Sequence, residues 1–136
     1  MQELSGKIIK KIEISEDNES IVFTTKDKKE FAYDTYGDCC SYSWFAHISS
    51  LKSLLENLII DVNDSKHLPT QEEAEREPDQ IGKGFDSLAL YGYDLYTEKG
   101  VCTIEFRNDS NGYYGGSCKL GKRSRTKVYR EVVEDF

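Results

Sequence analysis

Apolar and polar residues alternate in short runs over the first third of the chain. In "KIIKKIEI" Ile8, Ile12 and Ile14 share one parity, and "SIVFTT" and "EFAYD" follow after the polar turns "SEDNE" and "KDKK". The pattern predicts a three-stranded antiparallel meander. The period then changes: Trp44, Ile48, Leu51 and Leu55 fall at near-helical spacing, with Ser43 or Ser49 available as N-cap and Asn57 near the end. This predicts one or two short helices within 43–57, before "LIIDV" returns to strand character.

The next segment, "LPTQEEAEREPDQIGKG", carries both prolines and five acids against one arginine before Gly82. Too little apolar surface is available there to order the chain strongly, which predicts a mobile acidic loop over 69–84. Alternation resumes in "SLALYGYDLYT", the turn "EKG" and "VCTIEFR", a hairpin in which Cys102, Ile104 and Phe106 share one face and Thr103, Glu105 and Arg107 the other. Asn111-Gly112 suits the positive φ angles of a further tight turn, and "YYGGSCKL" leads away from it. The elements add up to a single α+β domain over residues 1–136: an antiparallel sheet of about six strands with one or two short helices packed on one face.

Composition adds limits. A chain of 136 residues, 38% hydrophobic and 12% aromatic, sustains one core. It has no apolar run near the roughly 20 residues needed to cross a bilayer, and "MQELSGKIIKK" lacks the apolar centre of a secretory signal. A cytoplasmic protein without membrane contact is expected. The net charge of −7 is uneven: residues 119–136 hold 6 Lys and Arg against 3 Asp and Glu, so a basic tail follows an acidic body. An acidic body suits solubility or a partner with a basic groove and opposes strong nucleic-acid binding, leaving to the tail weak, salt-sensitive contacts or pairing with the acidic loop.

The four cysteines, Cys39, Cys40, Cys102 and Cys118, are expected as reduced thiols, since nothing points to secretion. Adjacent Cys39 and Cys40 do not have the spacing of a structural zinc site, and neither His47 nor His67 sits at a ligand spacing from them. The sequence implies no metal and no cofactor.

Two stretches carry recognition chemistry. "FRNDSNGYYGGSC" offers the fork of Arg107, the amides of Asn108 and Asn111, the flat faces of Tyr113 and Tyr114, and two glycines that let another backbone approach. It lacks the Gly-Lys-Ser/Thr of a phosphate loop. "YGDCCSYSWF" sets Asp38, Cys39, Cys40 and Ser41 before Trp44. If the fold brings 37–44 beside 107–116, the two form one surface in which one adjacent cysteine packs inward and the other lines a cleft. An ion pair between Arg107 and Asp38 is the rival to a ligand-binding arginine.

Together, "DCCSYSWF" and "FRNDSNGYYGGSC", about 60 residues apart and followed by "EDF", resemble a family of small bacterial and phage proteins known as a domain of unknown function. The resemblance lends no activity, but it implies a setting in mobile elements and an accessory role. The leading expectation is therefore a non-catalytic binding protein of a phage or mobile element that blocks a host component, such as one of host defence. Its binding residues would be Asp38, Cys39, Cys40, Ser41, Trp44, Arg107, Asn108, Asn111, Tyr113 and Tyr114. One alternative is a module that binds a small-molecule ligand or nucleotide through Trp44, Arg107, Asn111 and Tyr113. The other is a cysteine-dependent enzyme in which a base such as His47 activates Cys39 or Cys40.

Overall fold

A computed structural model describes residues 1–37, 40–77, 87–110 and 115–136. Its first sheet is built on the predicted meander: β1 (Ile9–Ser15), β2 (Ser20–Thr25) and β3 (Glu30–Gly37) pair antiparallel in sequence order. A register shift between Ile9 and Lys11 changes the parity along β1, so that Ile9, not Ile8, joins Ile12 and Ile14 in the core.

The predicted helices over 43–57 give way to β4 (Ser41–Ser49) and a single turn, α1 (Leu51–Leu54). The reason is a bulge. Phe45 pairs with Phe106 and His47 with Glu105, leaving Ala46 as the extra residue. After it the strand changes parity, so Phe45 and Ile48 both face the core while Trp44 packs on the opposite face. Spacings of three and four along a bulged strand imitate a helix.

β5 (Asp61–Asp64), β6 (Ser87–Thr97) and β7 (Gly100–Ser110) follow, with the one-turn helix α2 (Gln71–Glu75) between β5 and β6. The segment expected as a loop thus contains a helix, opened by a capping box in which Thr70 and Glu73 exchange backbone and side-chain bonds. Residues 78–84 of that segment lie outside the described residues. β7 runs on through Asn108, Asp109 and Ser110, and the proposed Asn111-Gly112 turn is not among the described residues.

The chain ends with β8 (Gly116–Gly121) and β9 (Tyr129–Glu131), both too short and polar to have been counted from sequence. The described residues therefore form nine strands in two antiparallel sheets, ordered β8-β3-β2-β1-β9 and β4-β7-β6-β5, and not one sheet of about six. Their inner faces share one core, with Ile12, Ile14, Ile21, Phe23 and Tyr33 from the first sheet and Phe45, Ile48, Leu95, Ile104 and Phe106 from the second. A smaller cluster of Trp44, Leu88 and Ala74 lies on the outer face of the second sheet, and Ala74 of α2 is fully buried in it.

The basic tail supplies both edges of the first sheet and crosses its outer face between them. Arg123 bonds Glu13 of β1 and Glu30 of β3, and Lys127 pairs with Asp17 and Glu19 in the turn between β1 and β2. Among the described residues, these carboxylates are the ion-pair partners of Arg123 and Lys127. Between them Val22 and Ala32 are buried although they point away from the core.

Candidate functional site

The two stretches singled out in the sequence are brought together by the pairing of β4 with β7. Ser41 lies opposite Ser110, Ser43 opposite Asn108 and Trp44 opposite Arg107. Asp38, Cys39, Asn111, Tyr113 and Tyr114 lie outside the described residues.

On the inner face the apolar core gives way to a polar seam. Asn108 Nδ2 donates to Ser43 Oγ at 2.7 Å, and Ser43 Oγ donates to the Tyr36 carbonyl at 3.1 Å. Asn108 is fully buried, and its Oδ1 has no partner among the described residues. Gly37 of β3 and Gly116 of β8, themselves register partners, lie over this pair. A Cβ on Gly116 would stand 2.8 Å from Ser43 Oγ and 2.9 Å from Asn108 Cβ, and one on Gly37 would stand 2.4 Å from Ser41 Oγ. At Gly37 and Gly116, one from each stretch, the two sheets approach too closely to leave room for a side chain.

At the rim of the seam the side chains are open. Tyr36 is 49% exposed, and Lys119 Nζ lies 5.5 Å from its ring centroid. With Gly37, Gly115, Gly116 and Ser117 they border a shallow groove of about 420 Å³. Cys40 is exposed and held at a positive φ of 71°.

On the outer face the arginine is not free. Arg107 is only 1% exposed, and its Nε donates to Glu105 Oε2 at 2.5 Å. Its Nη1 and Nη2 donate to Glu77 Oε2 and Oε1 at 2.9 and 2.8 Å. Burial alone would lower the arginine's pKa, but the bonds to Glu77 and Glu105 raise it. Glu77 is held down at about 2, chiefly by Arg107 and then by His47, against burial. His47 joins through Nε2, 3.0 Å from Glu77 Oε2, while its Nδ1 lies 3.0 Å from the backbone oxygen of Phe136. Trp44 is buried beside this network, stacked on Tyr42 at 5.4 Å between centroids.

Among the described residues Arg107 has its ion pairs with Glu105 and Glu77, and the Asp38 considered from sequence lies outside the described residues. Glu105 was legible, since it shares a strand face with Arg107. Glu77 was not: its one local signal was the Thr70-x-x-Glu73 capping box that orders the helix before it. His47 was considered as a base for the cysteines, whereas here it bonds a carboxylate and a backbone oxygen.

A separate polar cluster is held in place around Asp94. Asp94 is buried and accepts from Ser65 Oγ and Thr103 Oγ1, both at 2.8 Å, from the Lys66 amide at 3.0 Å, and lies 2.7 Å from His67 Nδ1. Burial pushes the thiols of Cys102 and Cys118 up to about 12, leaving them poor nucleophiles at neutral pH. Among the described residues no three His, Cys, Asp or Glu side chains are grouped to hold a metal ion, and no helix is long and apolar enough to cross a membrane.

Residues 2–120 match the model of a domain of unknown function, DUF7448, and the chain belongs to that family. No curated protein and no solved structure matches it.

Proposed function

We propose that this member of the DUF7448 family is a non-catalytic binding protein that recognises a protein partner through the groove at the rim of the seam. The observation that carries this reading is the convergence of β3, β4, β7 and β8 on one end of the fold. There, Tyr36 and Lys119 stand exposed over a floor of glycines. A half-exposed tyrosine with a backbone floor gives a partner a rigid aromatic contact and close main-chain approach, features that concentrate binding energy at interfaces. The acidic body favours a partner with a basic surface.

Two observations weigh against the other readings. The described core thiols are raised out of the reactive range, and Arg107 and Trp44, which a small-molecule site would use, are covered by Ala74 and Glu77. The narrower form of the proposal, a phage or mobile-element protein that inhibits a host component, rests on the resemblance alone.

The test is affinity purification of the tagged chain from cells that naturally express it, followed by native mass spectrometry, with wild type and Tyr36→Ala side by side. A stoichiometric protein retained by the wild type and lost by an equally stable Tyr36→Ala supports the reading. A retained nucleotide, no protein partner, or a partner that Tyr36→Ala still holds overturns it.

A further inference from the structure

β6 is paired along its whole length on one side and along less than half of it on the other. All 11 of its residues oppose β7, whereas β5 opposes only residues 93–96. The last bond on the β5 side runs from the Ser65 amide to the Gly92 carbonyl at 2.9 Å. The chain then crosses Gly92, where a Cβ would lie 2.8 Å from Leu68 Cδ2, and leaves the edge. The Ile60 amide bonds the Tyr96 carbonyl in the same way, so the even-numbered residues of β6 direct their backbone groups to this side. By that alternation Leu90 and Leu88 also present N–H and C=O groups here, and among the described residues no backbone group pairs with them. Such an edge is a template for a further strand.

Where β5 stops, a cavity of about 260 Å³ opens between Asp64, Leu90, Tyr91, Gly92, Tyr93 and Phe106. It is small for a drug-sized ligand and large enough for one long side chain. Its lining is that of a cation site. Tyr91 and Tyr93 each stack on Phe106, at 5.0 and 6.1 Å between centroids, which makes a bank of three near-parallel rings whose faces attract positive charge. Asp64 stands opposite Tyr93 in the register, on the same face of the sheet. It is exposed and has no ion pair among the described residues.

We propose that the open half of β6 binds an extended basic segment of a partner protein, which continues the line of β5 and lays a Lys or Arg side chain in the cavity against Asp64. Leu88 and Leu90 supply the main-chain bonds, and the cavity selects the side chain, as in other cases of strand addition. A residue placed opposite Tyr91 falls on the face that Asp64 and Tyr93 share. Its apolar stem then packs on the tyrosine rings while its charged head reaches the carboxylate. The chain's net charge of −7 favours the same sign of partner. This edge is separate from the groove at the rim and stands whether or not that groove binds a partner.

Amide hydrogen exchange and NMR shifts at Leu90 read the edge directly. In the free chain the Leu90 amide should exchange much faster than that of Tyr91, which points to β7. A capped peptide of alternating valine and threonine with one central lysine should protect the Leu90 amide and move its resonance. The same peptide with glutamate in place of lysine, and the lysine peptide in N-methylated form, should bind far more weakly. Asp64→Asn, a change at an exposed residue, should weaken the lysine peptide about fivefold, the upper end for an exposed ion pair. Tyr36→Ala should leave that binding unchanged, so this edge and the groove are read separately. A Leu90 amide already protected in the free chain, protection that grows with protein concentration as a second copy would give, equal binding of the lysine and glutamate peptides, or no response at Leu90 overturns the proposal.

Discussion

Gly116 sits so close to Asn108 that a Cβ on the glycine would lie 2.9 Å from the asparagine's own Cβ. The contact joins β8 of one sheet to β7 of the other, and a Cβ can move only with its own backbone. Gly116→Ala should therefore force the sheets apart and cost about 1–3 kcal/mol in urea unfolding, the usual range for overpacking. Gly121→Ala is the control. Its Cβ would meet only the Asp34 carboxylate at 3.3 Å, the end of a side chain that can turn away, so its midpoint should move much less.

Arg107→Ala should destabilise the fold whatever it does to binding. It strands Glu105, 4% exposed, without its counter-charge, and breaking a buried pair from one side costs about 3–5 kcal/mol. The double replacement Glu105→Leu with Arg107→Leu should recover much of that loss. Equal losses for the single and double variants would show that the pair itself contributes little.

Acid should release Glu77 before the core unfolds. Its pKa is depressed from 4.5 to about 2 in the folded chain, so its contribution is complete above about 4.5 and disappears as the pH falls from there towards 2. Wild-type stability should drop more steeply across that window than that of Glu77→Gln, which has no such proton to gain. Parallel curves for the two proteins would contradict the assignment.

Salt should loosen the tail. Arg123 bridges Glu13 and Glu30 from a side chain 29% exposed, which makes Arg123→Ala worth roughly 1 kcal/mol at low ionic strength and less at high. Because Arg123 and Lys127 are engaged within the chain, binding to DNA or RNA at physiological salt should be weak and independent of sequence. Sub-micromolar affinity in a filter-binding assay would overturn this.

Thiol labelling should separate the described cysteines. Exposed Cys40 should react with a disulfide reagent in the folded protein, while buried Cys102 and half-buried Cys118, both raised to about 12, should react far more slowly until the protein unfolds. Fast labelling of Cys102 in the native state would show that the core opens there.

What the amino-acid order decided by itself was local. Alternation and turn chemistry specify β1 to β3 and the β6–β7 hairpin, because each uses neighbours in sequence and a period of two. The same alternation put Glu105 and Arg107 on one face, and the glycines of the two unusual stretches pointed to a close approach of backbone. The tertiary structure decided the rest. β4 reads as a helix until its bulge is seen, and a bulge is defined only against the partner strand it opposes, here β7. Glu77 meets Arg107 and His47 across 30 residues, and Arg123 meets Glu13 across 110. Charge pairing has range but no sequence period, so nothing in the local pattern could say which acid each arginine would meet. That choice was made when packing two sheets face to face fixed where α2 and the tail could lie.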